Sequence, residues 1–129
     1  MNPVFYFELP YKDASRIAKF YADSFGWKLT DLGEESGHYM LAQTADKDAK
    51  PGAPAGSING GLYPVNPDEP NQYPSIAIAV ENIGDAIAKV KQNGGTVLGE
   101  PFNIPNFGLY VSFVDTEGNK GSIIQPQDK

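Results

Sequence analysis

The 129-residue chain has no cysteine and a single histidine, His38. Without Cys it has no thiol nucleophile, no disulfide and no thiolate-held zinc or iron–sulfur centre. Cations are also scarce: ten Lys and Arg against sixteen Asp and Glu give a formal charge of -6. Neutralising a phosphate backbone needs clustered bases, so the composition argues against a nucleic-acid partner. Apolar runs are strand-sized and fall far short of the roughly 20 residues of a membrane span. Met1 to Glu8 lacks the basic and long apolar regions of a secretory signal, so a cytoplasmic protein is expected.

What the chain does have is a weak internal repeat. Phe5-Tyr6-Phe7-Glu8-Leu9, then Arg16 to Phe20, then Gly26-Trp27-Lys28-Leu29 is answered by Ser75 to Val80, Ala86 to Val90 and Gly94 to Leu98. Each half reads as a strand, an amphipathic helix and further strands. Two copies of one unit make a pseudo-symmetric body whose site is lined by matching positions. The expected modules are residues 1–65 and 66–129 of a single domain.

Alternation predicts a strand over Val4 to Leu9, ended by Pro10. Asp13 caps a helix with Ile17, Phe20, Tyr21 and Ser24 on one face, and Gly26 closes it in the left-handed conformation. Strands follow at Trp27–Leu32, Tyr39–Thr44 and Ser57–Tyr63, the first two joined by a turn at Gly33 to Gly37. Between the last two, residues 45–56 read as a loop with little to bury, and a loop of this length could act as a lid. Gly60-Gly61 implies a bulge or a close approach by another backbone or a ligand. Pro64 to Pro74 holds four of the eleven prolines and links the halves. The second half repeats the order: a strand over Pro74–Val80, a helix capped by Asn82 with Ile83, Ala86, Ile87 and Val90 in one stripe, then strands at Thr96–Glu100, Gly108–Val114 and Lys120–Gln125. Asp115 to Asn119 is a tight turn. The class is α+β, βαβββ twice.

Phe20-Tyr21 followed by Phe25-Gly26-Trp27, Asn59-Gly60-Gly61, and Phe113 to Asn119, in that order, resemble the vicinal oxygen chelate superfamily of glyoxalase I, bleomycin resistance proteins and extradiol dioxygenases. The resemblance spans nearly the whole chain and implies two modules pairing into a half-open barrel, with a divalent metal or small ligand in the concavity and a homodimer as the usual assembly. It also implies where metal ligands would stand: a His early in each module's first strand and a carboxylate late in its last. Those positions are Tyr6, Ser75 and Ser122 here, while Ser57 to Tyr63 has no Asp or Glu. A divalent site wants three or four N or O ligands, so no metal cofactor is expected.

The remaining polar candidates are few. Glu8 lies two residues after Tyr6 and shares its face, where it could be a lone acid, base or acceptor. His38 reads as a loop histidine, with a role at a pocket mouth as the functional alternative. Ser75 and Ser122 read as space-making residues, because an activated serine needs a base beside it. Among Trp27, Tyr39, Tyr63, Phe102, Phe107 and Tyr110, packing is the default; Tyr63 and Phe107 adjoin Pro- and Gly-rich loops and are set apart as ligand contacts. Lys47, Asp48 and Lys50 read as solvated surface.

The expected function is metal-free binding of a small organic molecule in the concavity between the modules, through Tyr6, Glu8, Asn59, Tyr63, Ser75, Phe107 and Ser122. One alternative is a metal-dependent lyase, isomerase or dioxygenase with a relocated site built from Glu8, His38 and a loop carboxylate. A second is a protein interaction module.

Overall fold

The computed structural model describes residues 1–45, 58–70 and 72–127. Most of the 45–56 loop, with Lys47, Asp48 and Lys50, and residue Ser57 of the expected fourth strand lie outside the described residues. The chain divides into two compact units, Tyr6–Pro74 and Met1–Phe5 with Ser75–Lys129. The fold is α+β, with the element order βαβββ in each half. Among the described residues no helix is long and apolar enough to cross a membrane.

In the Tyr6–Pro74 unit the strands run in the order β2 (Lys28–Asp31), β3 (Met40–Gln43), β4 (Asn59–Pro64), β1 (Val4–Tyr11), with the first two residues of β1 belonging to the other unit. β1 pairs parallel to β4 from Tyr6↔Asn59 through Tyr11↔Pro64. Pro10 therefore does not end the strand. It has no N–H to donate, yet the ladder continues past it, because the Tyr11 carbonyl accepts from the Val65 amide at 2.8 Å.

Helix α1 (Ala14–Phe25) is started by the Asp13 carboxylate, which accepts from the Arg16 amide at 2.9 Å, and stopped at Gly26, whose φ of +74° suits a residue without a side chain. The helix covers one face of the sheet. Ala14, Ile17 and Ala18 pack with Phe7, Leu9, Trp27 and Leu29 against the buried Tyr11, Met40, Ala42 and Leu62. The inward stripe thus differs from the expected one: Phe20 is 54% exposed and Ser24 is exposed, while Tyr21 stacks on Trp27 with ring centroids 4.5 Å apart. Phe20 and Tyr21 are adjacent and about 100° apart round the helix, so the sheet receives only one of them.

The other unit has strand order β5 (Ser75–Ala79), β8 (Lys120–Pro126), β7 (Gly108–Val114), β6 (Thr96–Ile104). Helix α2 (Ile83–Gln92) is capped by the Asn82 side chain, which accepts from the Asp85 amide, and presents Ile83, Ala86, Ile87 and Val90 to Val80, Val111 and Ile123. Burying one such aliphatic side chain contributes about 1.5–3 kcal/mol. Strand β6 runs past its expected end at Glu100, because a register shift between Leu98 and Phe102, with Gly99 at φ +80°, absorbs the kink and lets pairing resume at Phe102↔Tyr110. The Asp115 turn closes β7 on β8, with one carboxylate oxygen accepting from the Glu117 and Asn119 amides, both at 2.9 Å.

Candidate functional site

Side chains alternate across a strand, so the residues of β1 that avoid the α1 core are Tyr6, Glu8 and Pro10. On that opposite face three polar groups meet. The Tyr39 hydroxyl donates to Glu8 Oε2 at 2.7 Å, and the Tyr6 and Tyr39 hydroxyl oxygens lie 3.0 Å apart. All three side chains are half-buried. Tyr39 has one hydroxyl proton and gives it to the carboxylate, so Tyr6 must be the donor in the Tyr6–Tyr39 bond. The result is a directed chain, Tyr6 to Tyr39 to Glu8.

Gly61 makes the chain possible. It lies opposite Glu8 in β1 and opposite Leu41 in β3. A β-carbon on Gly61 would fall 1.9 Å from the Tyr39 hydroxyl oxygen and 2.4 Å from that of Tyr6. Gly60 does the same on the core face, where a β-carbon would meet the Phe7 ring at 2.5 Å. The close approach implied by the glycine pair is made by side chains, and β4 keeps its register with β1 without a bulge. Burial, then the Glu8 charge, then Tyr6 push the Tyr39 phenol far above its ordinary ionisation range.

Of the remaining candidates in this unit, Asn59 and Tyr63 lie two residues either side of Gly61 and share its face. Asn59 is exposed, and its side-chain oxygen accepts from the Thr44 amide at 2.9 Å, while Thr44 Oγ1 donates to the Ile58 carbonyl. That side chain fastens β4 to the end of β3. Tyr63 is half-buried on β4, opposite Pro10. His38 stands in the β2–β3 turn at φ +58°, with Nδ1 3.4 Å from Asp31 Oδ2. Its carbonyl accepts from Tyr11 at 2.6 Å. The Gly33 amide, foremost, and His38 hold Asp31 below the usual carboxylate range.

In the other unit Ser75 opens β5 and is half-buried; Phe107 is 46% exposed in the β6–β7 turn. Ser122 is 2% exposed and lies 2.5 Å from the Tyr110 hydroxyl. The two units place these tyrosines equivalently. Tyr39 is two residues before Leu41, which faces Gly61, and Tyr110 is two residues before Ser112, which faces Ser122. Where Gly61 lets Tyr39 reach an acid, Ser122 itself takes the hydroxyl of Tyr110. From the sequence alone Tyr39 and Tyr110 read as packing residues. The available signal was Gly61, whose missing β-carbon asks what fills the space.

The superfamily resemblance raises a divalent metal, which the residues of this face do not fit. They supply one carboxylate, already accepting from Tyr39, and two phenols, one of them held protonated by its surroundings. Among the described residues no three of His, Asp and Glu gather as a metal-binding group.

Residues 4–122 match the Glyoxalase/Bleomycin resistance protein/Dioxygenase superfamily, and the chain belongs to it. A glyoxylase-like domain-containing protein of Didymella fabae is 31% identical over 119 residues, covering 90% of this chain and 88% of the relative. A lactoylglutathione lyase of Salmonella typhimurium is 29% identical over 119 residues, covering 90% and 87%. Among solved structures, a hypothetical protein from Bacillus halodurans superposes with a TM-score of 0.71 at 18% identity, covering 99% of this chain and 96% of its own. Methylmalonyl-CoA epimerase from Mycobacterium tuberculosis gives 0.69 at 13% identity, covering 97% and 88%. These structural likenesses show the shared fold.

Proposed function

We propose that the chain is a metal-free member of the superfamily that binds a small organic molecule against the Tyr6–Tyr39–Glu8 face. The observation that carries this reading is the directed hydrogen-bond chain on a half-buried sheet face, with Gly61 clearing the space it occupies. Convergent polar groups set among aromatic side chains, here with Tyr63 on the same face, are the usual composition of a small-molecule site. The protein is proposed as cytoplasmic and the assembly as a homodimer.

A thermal-shift screen of a broad metabolite panel tests the reading, with hits repeated on Glu8→Gln and Tyr39→Phe. At least one compound should stabilise the wild type and lose most of that effect in both variants. Stabilisation that is indifferent to both substitutions moves the site elsewhere.

A second reading, a metal-dependent lyase, is favoured by the 29% identity to a lactoylglutathione lyase over nearly the whole chain. It needs a relocated ligand set of Glu8, His38 and a loop carboxylate. A stoichiometric divalent ion in protein purified without chelator would establish that alternative.

A further inference from the structure

We infer that the Tyr6–Tyr39–Glu8 face selects ligands that present an amine or ammonium group and rejects carboxylates, an inference that rests on the binding function proposed above. The direction of the hydrogen-bond chain is the reason. The Tyr39 proton goes to Glu8 and the Tyr6 proton to Tyr39, so both hydroxyl protons of the cluster are committed within it. Towards a ligand the cluster acts through oxygen lone pairs. A phenol oxygen accepts through two and a carboxylate through about four, so these atoms can take a ligand donor beside the partners they already have. An N–H donor to an ionised acceptor makes the stronger kind of hydrogen bond. A carboxylate brings only acceptors and a like charge.

The described surroundings favour the same sign. Among the described cations of this unit, Arg16 and Lys19 are on α1, which packs on the other face, Lys12 is in the β1–α1 turn, and Lys19 pairs with Asp23. Lys28 shares the face but on edge strand β2, three strands from Glu8, or about 14 Å at ordinary strand spacing. A chain of net charge -6 also draws cations towards it. Gly61 is the specificity-determining position, because any side chain there would displace the hydroxyl that fixes the chain's direction.

Three probes of one shape, benzylammonium, benzyl alcohol and benzoate, are titrated into the full chain while the backbone amides of Glu8, Tyr39 and Gly61 are followed by NMR. Benzylammonium should shift these amides saturably and bind at least about tenfold tighter than benzoate, the size of one charge-assisted hydrogen bond. Glu8→Gln should abolish that preference. Tyr39→Phe, a second variant, releases the Tyr6 proton towards the ligand and should narrow the ratio severalfold, which a merely structural role would leave unmoved. Benzoate binding as well as or better than benzylammonium at these amides overturns the selectivity and leaves the binding function standing, as does a preference that survives both substitutions. If none of the three probes shifts these amides, both readings fall.

Discussion

Tyr39 and Gly61 are a fitted pair: the hydroxyl of one occupies the volume that a β-carbon on the other would fill, with 1.9 Å between the two positions. The fit links a backbone choice in β4 to the orientation of an acid in β1, since the same hydroxyl donates to Glu8. Gly61→Ala should therefore expel Tyr39 and destabilise the fold by about 1–3 kcal/mol, the usual range for overpacking. Urea unfolding measures it, and a variant as stable as wild type contradicts the fit.

Tyr39 also governs behaviour in alkali. Its pKa is raised by burial and then by the Glu8 charge, so around pH 10, where ordinary tyrosines ionise, it stays a phenol in the folded protein. The unfolded chain loses that proton first and so binds fewer protons above about pH 10. Stability is therefore fully present below that value and falls as pH rises beyond it. Phenolate absorbance should show Tyr39 failing to titrate with the other tyrosines, and Glu8→Gln should bring its ionisation down towards them.

The helix-side core gives a separate check. Leu62 is 0% exposed between Tyr11, Met40 and Ala42, so Leu62→Ala should lower stability by about 2–5 kcal/mol. Leu98, 42% exposed, should lose no more than about 0.5 kcal/mol on the same change. Equal losses in chemical denaturation would place the core elsewhere.

Helix α2 depends on its cap. Asn82→Ala removes the acceptor of the Asp85 amide and should cost about 1 kcal/mol, while Asn82→Gly, which keeps the extended conformation accessible, should cost only a few tenths. Thermal unfolding of the two variants distinguishes capping from general sensitivity at this position.

The elements were legible where the signal is local. Alternation marked β1 and β5, and Asp13, Asn82 and Gly26 marked helix ends, because each acts through amides or dihedrals within a few residues. Legibility failed where a partner strand decides. Pro10 reads as a stop from the sequence, but the carbonyl of Tyr11 carries the pairing onward; Glu100 reads as an end, but Gly99 bends the strand and β7 recaptures it. The polar face was half visible. Tyr6 and Glu8 follow from a spacing of two, whereas Tyr39 lies 31 residues from Glu8 and joins it only through the register of β3, β4 and β1. No local pattern carries that register, so Tyr39 read as one more packed aromatic.

An organic guest held without a metal shows itself in the stabilisation that a bound compound gives in chelator. At a hundred times its dissociation constant a ligand adds about 2.7 kcal/mol. This gain should be the same with and without chelator and should be lost in Glu8→Gln. A gain that vanishes in chelator and returns with a divalent ion would contradict metal-free binding.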